Sequence, residues 1–535
     1  MFSGHNIIGY ETSAKGNQKV KVFSTSQQDY LAEEFAIATE EEIELATLKA
    51  KSAFGIYKKT SSEDKAFFLE TIADEIMNIG DALIQRAMLE TGLPEARLVG
   101  ERGRTVNQLK LFASLLREGS WVEAVIDPAL PDRKPLPRSD LRKMLLPIGP
   151  VVVFGASNFP FAFSTAGGDT ASALASGCPV IVKAHSSHLG TNELVANAII
   201  IAAKKCKMPD GVFSSLIGEG SSLGQALAKH PFVKAIGFTG SYRAGMALYR
   251  TAVNDRETPI PVYAEMSSIN PVLVFAKKMG EDVDKLVSQL AGSITLGVGQ
   301  FCTNPGLVFV INSDTTQQFI EKLSSQLQAA PAATMLNKVI CKSYYNEREQ
   351  IAAEKGVKTL LLGEDANNSF KGSAALLEVE AKDFFENPKL QNEIFGPASL
   401  IVRCEDESEM LKAIECLHGQ LTGTVFGTLE DVSNYTNCID ALREKVGRII
   451  FNGVPTGVEV CHAMIHGGPF PSTTDGRTTS VGVEAIKRFV RPVCFQDCPQ
   501  EFLPHALKDE NPLGIMRKID GTYTKAAVNQ LHEVN

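Results

Sequence analysis

The segment GVGQFCTNPG at positions 297–306 sets Cys302 among turn-forming residues, directly after an amphipathic stretch. A thiol on an irregular, accessible loop can ionise and let an electrophilic carbon approach closely, which suits covalent catalysis. Composition alone would make Cys302 an inert buried thiol, so its position carries the reading. Two glycine turns offer a second kind of chemistry. GEGSSLG at 218–224 places glycines at 218, 220 and 224, one residue too wide for the usual dinucleotide fingerprint, and a plain turn reads the same way. GFTGS at 237–241 leads into a helical stretch, so Ser241 can cap it and leave free N–H groups for a phosphate; a bare capped turn would look alike.

Spacing gives no metal site. His185 with His188, Cys494 with Cys498, and Cys461 with His462 and His466 are the close groupings, and none is matched by a second pair at ligand-like separation. The expectation is no metal.

The elements that must position these residues change in texture along the chain. Residues 30–119 read as helices with apolar residues at three- and four-residue spacing. In the stretch 62–92, Ser62 with Asp64 and Glu70 suggests a capped start and Gly92 a stop. Proline-rich residues 126–146 suit an extended arm. From Val151, apolar runs at 151, 179, 212 and 233 alternate with helical candidates 164–176, 189–206, 221–229 and 241–252, which predicts a doubly wound parallel sheet. A second α/β pattern starts at NPVLVFA (270–276), continues through a helix at 281–297 and a strand at 307, and runs to about 485. The fold class expected is α/β, with two doubly wound Rossmann-like domains sharing a cleft at strand carboxyl ends and a small β arm for oligomerisation. The expected division is a nucleotide-binding domain from 1–125 and 147–269, a catalytic domain from 270–485, an arm from 126–146 and 486–500, and an unassigned tail from 501–535.

A chain of 535 residues exceeds what one core serves, in line with that division. Hydrophobic content of 44% and charged content of 21% are ordinary for a globular protein. The net charge is -9, and the basic residues are dispersed, so neither nucleic acid nor an anionic membrane is an expected partner. The first thirty residues lack a signal-like apolar run, and no window offers a membrane span. Ten scattered cysteines read as reduced thiols, and a cytoplasmic location is expected.

Seven blocks occur in the order and approximate spacing of one family: SNFPF (157–161), VKAHSSH (182–188), GFTGS (237–241), AEMSSINP (264–271), GQFCTNPG (299–306), NEIFGP (392–397) and FNG (451–453). With them the chain resembles the aldehyde dehydrogenase superfamily over most of residues 30–500. Within it the wording AEMSSINP and GQFCTNPG is most similar to the α-ketoglutaric semialdehyde (2,5-dioxopentanoate) dehydrogenases and the NADP-linked fatty aldehyde dehydrogenase of luminous bacteria.

The resemblance implies an aldehyde oxidised to a carboxylic acid, NADP or NAD as cofactor, and a homodimer or homotetramer. It implies Cys302 as the nucleophile, Asn158 and the Cys302 N–H as oxyanion donors, and Glu265 as the base. For the cofactor it implies Lys183 and Glu393 at ribose hydroxyls, Phe395 at the nicotinamide, and Gly240 and Ser241 at the pyrophosphate. Phe159 falls among the substrate residues. Arg104 falls at a position lining the aldehyde tunnel, where it can pair with a distal carboxylate; a surface salt bridge to an acidic neighbour is the alternative. Two departures stand out. Glu-Met-Ser-Ser (265–268) replaces the commoner Glu-Leu-Gly-Gly, which alters backbone flexibility near the base. Ser186 replaces a glutamate that binds adenosine ribose in many NAD-preferring relatives, so NADP acceptance is expected, with His185, His188 and Arg243 as further donors. Broader or fatty aldehyde specificity, a CoA-acylating enzyme and a retired structural protein are the competing readings.

Overall fold

Two seven-stranded sheets and one five-stranded sheet organise the computed structural model, which describes residues 2–531. In the first sheet the run VVVF forms the strand Val151–Phe154, buried at every position. Continuous apolar sequence of this kind belongs in a parallel sheet covered on both faces. The sheet order is Val262–Glu265, Ala235–Thr239, Val151–Phe154, Val180–Lys183, Phe213–Leu216, Asn6–Ile8 and Glu11–Ser13. The first five are mutually parallel, and the two amino-terminal strands add antiparallel at the edge. Sequence order reverses on either side of Val151–Phe154, so the connections leave in opposite directions and a crevice opens at the carboxyl ends.

The second sheet runs Lys358–Leu362, Ala375–Glu380, Ala398–Cys404, Leu307–Ile311, Val272–Val274, Gln420–Phe426 and Val446–Phe451, parallel except at the first edge. Cys302 precedes the strand Leu307–Ile311, and Glu393 precedes Ala398–Cys404. The second sheet therefore turns its amino edge toward the carboxyl edge of the first. The expectation that both sheets contribute carboxyl ends is corrected: it holds for the first sheet only.

Four helices, Glu40–Tyr57, Ser62–Asn78, Asp81–Thr91 and Glu95–Glu118, form the amino-terminal layer. The single helix expected over 62–92 is broken by Gly80, whose φ of 68° is left-handed. Its cap is Ser61 and not Ser62, with the Ser61 hydroxyl accepting from the Asp64 N–H at 3.0 Å. Gly92, at φ 67°, ends the second piece.

The five-stranded sheet is Val490–Gln496, Leu141–Pro147, Val125–Asp127, Arg517–Ile519 and Thr522–Thr524. Its last two strands come from the tail left unassigned in the sequence, whose fold is tied by buried Arg142 and Arg517. Arg142 pairs with Asp140 at 2.8 Å and Asp509 at 2.7 Å, while Arg517 donates to the carbonyls of Lys508, Asp509 and Ala526. No helix among the described residues is long and apolar enough to cross a membrane.

Candidate active site

The helix Val283–Thr295 gives way to Gly297, Val298 and Gly299, all left-handed, with φ of 55°, 58° and 65°. Glycine is required at 299, where a Cβ would fall 2.2 Å from the Gly396 backbone. Val298 is β-branched and strained there, and burial of its side chain beside Met335 and Tyr344 holds it. The loop that follows is fastened by Asn270, whose Nδ2 donates to the carbonyls of Cys302 and Asn304, both at 2.9 Å. The Asn270 Oδ1 accepts from Ser268 Oγ at 3.0 Å and Thr422 Oγ1 at 2.9 Å. The serine at 268, a departure noted in the sequence, is thus a tie: its one hydroxyl proton is shared between Asn270 Oδ1 and Gln420 Oε1, each at 3.0 Å, and its oxygen accepts from the Leu421 N–H at 3.0 Å.

One face of the helix Glu95–Glu118 positions Asn158. Glu101 Oε1 accepts from the N–H groups of Phe161 and Ala162 at 2.8 and 3.0 Å, and Arg97 donates to the Asn158 carbonyl at 2.7 Å. The Arg97 guanidinium also stacks between Phe159 and Phe301, 4.6 Å from each ring. Asn158 Nδ2 donates to the Gln300 carbonyl at 3.2 Å, which brings its carboxamide to the Cys302 loop. Arg97 and Glu101 were not singled out in the sequence, although they stand seven and three residues before Arg104 on a helix and so share its face.

Cys302 Sγ lies 3.3 Å from His466 Nε2, and that same nitrogen lies 3.0 Å from Glu265 Oε1. Glu265 and His466 are 3% and 1% exposed. Glu265 ends the strand Val262–Glu265, and its Oε2 accepts from Ser480 Oγ at 2.5 Å. His466 comes from a segment that folds back beneath that strand: Met266 N–H donates to Ser472 O at 2.7 Å, and Ser480 N–H to His466 O at 2.8 Å. Burial alone would raise the Glu265 carboxyl, but His466 and Ser480 more than offset it and hold the group below the usual range. Burial pushes the Cys302 thiol well up, and the nearby Glu265 and Glu393 carboxylates push it further. Ionisation of the thiol is therefore disfavoured, and a base beside it would promote loss of its proton. His466 was missed because its partners lie far away in sequence; short spacing linked it only to Cys461 and His462.

An aromatic corridor leads from this cluster to Arg104. The Phe163 ring is 6.1 Å from His466, Phe159 is 5.3 Å from Phe163 and 5.5 Å from Phe301, and the Arg104 guanidinium sits 5.1 Å from Phe163 and 5.9 Å from Phe159. Both terminal nitrogens of Arg104 are shielded from solvent and bond to no group among the described residues. Arg104 makes no salt bridge among those residues, so the surface ion pair considered as its alternative is absent there.

On the other side of Cys302 the first sheet presents its carboxyl edge. Ser241 caps the helix Tyr242–Asn254, accepting from the Ala244 N–H at 3.4 Å, and the Gly240 N–H donates to the Glu265 carbonyl at 3.1 Å. GEGSSLG forms a single π turn, Gly220–Gly224, ahead of a short helix. Lys183 ends its strand 8% exposed, without an ion pair among the described residues, and burial pulls its ammonium down to about 8. Glu393, partly buried, is pushed up to about 7 by burial. A lysine and a carboxyl that make no ion pair among the described residues fit a ligand that brings hydroxyls, as the ribose of NAD(P) does. Phe395 lies on the same cleft as Glu393, with Gly299, Phe301 and Ser268. Ser186 and Arg243 are exposed, and His185 is partly buried, but His188 is not available as a donor: it is fully buried and its Nε2 is 2.8 Å from the Ala156 carbonyl.

The model of the aldehyde dehydrogenase family matches residues 11–492. The chain is 51% identical over 520 residues to alpha-ketoglutaric semialdehyde dehydrogenase 2 of Azospirillum brasilense, covering 97% of this chain and 99% of that one. It is 46% identical over 492 residues to alpha-ketoglutaric semialdehyde dehydrogenase of Acinetobacter baylyi, covering 92% and 93%. Among solved structures, betaine aldehyde dehydrogenase from Staphylococcus aureus in complex with NAD+ matches the fold with a TM-score of 0.78 at 20% identity, over 94% of this chain and 97% of that one. The 1-pyrroline-5-carboxylate dehydrogenase from Thermus with bound NAD matches with a TM-score of 0.77 at 20% identity, over 92% of each chain. The chain belongs to the aldehyde dehydrogenase family, and its reaction is the NAD(P)-dependent oxidation of an aldehyde.

Proposed function

We propose that the aldehyde is a short semialdehyde carrying a distal carboxylate, 2,5-dioxopentanoate (α-ketoglutaric semialdehyde), and that Cys302 attacks it. The observation that carries this reading is Arg104, a buried cation with both terminal nitrogens unbonded at the far end of the Phe159–Phe163 corridor. A guanidinium in such a place is matched by a carboxylate held bidentately, and the corridor fixes how far away the aldehyde carbon lies. Relatives at 51% and 46% identity bear the same substrate in their names. A fatty aldehyde would leave this cation unpaired beside the Phe159 and Phe163 rings.

In the proposed sequence the Cys302 proton passes to the His466–Glu265 pair as sulfur adds to the carbonyl carbon. The oxyanion of the resulting thiohemiacetal accepts from the Asn158 carboxamide and the Cys302 N–H, donors typically worth about 3 to 4 kcal/mol each. A bound nicotinamide would supply the hydride acceptor, and Cys302 would then carry the acyl group as a thioester. After the pair has passed the Cys302 proton to solvent, Glu265 takes a proton from water as that water attacks the thioester, and the proton then goes to the departing Cys302 sulfur, releasing the carboxylic acid and returning the thiol. Retention of Glu265 favours water over CoA as the acceptor, and the assembled Cys302, Glu265 and Asn158 speak against a retired structural role.

Lys183 and Glu393 would hold ribose hydroxyls, Gly240 and Ser241 the pyrophosphate, and Phe395 the nicotinamide. The exposed Ser186 and the exposed Arg243 in the first turn of the helix Tyr242–Asn254, with His185 beside Ser186 in sequence, support NADP acceptance. The division into residues 1–125 with 147–269 for the cofactor, 270–485 for catalysis and an arm from 126–146 and 486–500 goes with this reading. The edge strand Val490–Gln496, largely exposed, suits assembly into a homodimer or homotetramer, and ten unpaired cysteines suit the cytoplasm. The test is a substrate panel compared by kcat/KM: a carboxylated semialdehyde should exceed an uncharged aldehyde of equal length. Equal or reversed values would overturn the substrate assignment.

A further inference from the structure

We propose that Cys302, His466 and Glu265 together form a reversible zinc(II) site in the free enzyme, and that zinc bound there masks the nucleophile. One sulfur, one nitrogen and one carboxylate oxygen from these residues lie within 4.8 Å of one another. This is the donor set of open zinc sites, in which three protein ligands leave a fourth position free. The separations fit as well. With zinc bonds of about 2.0–2.3 Å at tetrahedral angles, ligand atoms stand roughly 3.3–3.6 Å apart. Here Nε2 is 3.3 Å from Sγ and 3.0 Å from Oε1, so these two pairs need only open by a few tenths of an ångström, and Sγ and Oε1 lie within 4.8 Å of each other.

The hydrogen bonding leaves room for such an ion. A single imidazole nitrogen faces both the thiol and the carboxylate, and one proton cannot serve both contacts well. Glu265 Oε1 is buried and makes no hydrogen bond of good geometry among the described residues. A cation centred between the three satisfies all of them, and a thiolate with a carboxylate balances its two charges in a buried setting. Zinc would displace the Cys302 proton to solvent, since the thiolate is the ligand. The supporting contacts are already set: Ser480 Oγ holds the other carboxylate oxygen at 2.5 Å, and the His466 backbone is tied by Thr479 and Ser480. Sequence spacing could not reveal this site, because its ligands come from positions 265, 302 and 466 on three segments. No fourth protein ligand joins the group among the described residues, so the site is one for exchangeable zinc and not a structural metal.

The experiment adds zinc chloride to the chelator-treated, full-length enzyme without cofactor and follows iodoacetamide labelling of Cys302 by peptide mass spectrometry. Zinc should slow labelling by roughly tenfold or more, and EDTA should restore it. His466→Gln should still be labelled without zinc but should need roughly tenfold or more zinc for protection, as should Glu265→Gln. The double change Cys494→Ser with Cys498→Ser should leave protection intact, which separates this site from the arm thiols. Cobalt(II) should give a thiolate charge-transfer band that Cys302→Ser removes. Undiminished labelling in zinc, or full protection retained in both His466→Gln and Glu265→Gln, would overturn the site. The proposed role of Cys302 in aldehyde oxidation stands or falls separately, because it is read from turnover of zinc-free Cys302→Ala.

Discussion

Glu265 and His466 form a buried pair, with Oε1 of the carboxylate 3.0 Å from Nε2 of the imidazole, and Cys302 Sγ meets the same nitrogen at 3.3 Å. The pair is where a proton from the raised thiol can go. Cys302→Ala should abolish aldehyde oxidation and leave NAD(P) binding near wild type, because the thiol forms the covalent intermediate and is not needed to hold the cofactor. Measurement of kcat beside a cofactor dissociation constant checks this; substantial turnover by folded Cys302→Ala would remove the thiol from the mechanism.

Glu265→Gln keeps the shape of the pair and leaves His466, 3.3 Å from Cys302 Sγ, to take the thiol proton, while removing the base that activates water. Rapid mixing should give a burst of reduced cofactor of about one equivalent per active site, then slow turnover limited by thioester hydrolysis. A variant that loses the burst and the steady state together would place Glu265 before hydride transfer instead.

Arg104→Leu should lower kcat/KM for a carboxylated semialdehyde by roughly tenfold or more, about 1.4 kcal/mol, while sparing an uncharged aldehyde of similar length. An equal loss on both substrates would make Arg104 a structural member of the corridor and leave the substrate resting on similarity to relatives.

Ser186→Glu should shift cofactor preference toward NAD, since a carboxylate there repels a 2′-phosphate and can accept from ribose hydroxyls. The ratio of kcat/KM for NADP to that for NAD is the readout. A wild-type enzyme that already favours NAD by a large factor contradicts the reading of Ser186.

Lys65 offers a pH test of stability away from the site. It is 6% exposed, has no ion pair among the described residues, and burial pulls its ammonium from 10.5 down to about 8. Between those values the unfolded chain binds the proton and the native protein does not, so stability rises with pH across that window. Below about 8 both states are protonated and the full penalty, about 3 kcal/mol, is present. Lys65→Met should therefore raise the thermal midpoint at pH 7, and its advantage should shrink as pH climbs from 8 toward 10.5. A constant difference across that range would mean that Lys65 keeps its charge at no cost.

The sequence by itself determined the parts that depend on neighbours along the chain. Buried parallel strands such as Val151–Phe154 announce themselves as unbroken apolar runs, and the turns at 237–241 and 297–306 are written in glycine and cap residues. The ordered blocks then tied Cys302, Glu265, Asn158 and the cofactor residues to one family, which the match over residues 11–492 establishes. Strands of two or three residues, such as Asn6–Ile8 and Thr522–Thr524, are too short to show a period, and they gain their partners only when a distant edge is already formed. The break at Gly80 was hidden because a left-handed glycine interrupts the backbone without interrupting the apolar spacing. Only the tertiary structure decided that His466 stands between Cys302 and Glu265. Three segments meet there because the amino edge of one sheet faces the carboxyl edge of the other, a relationship no local pattern encodes. The same holds for Arg104: helical spacing gave its face, but its want of a partner depends on every element packed around the corridor.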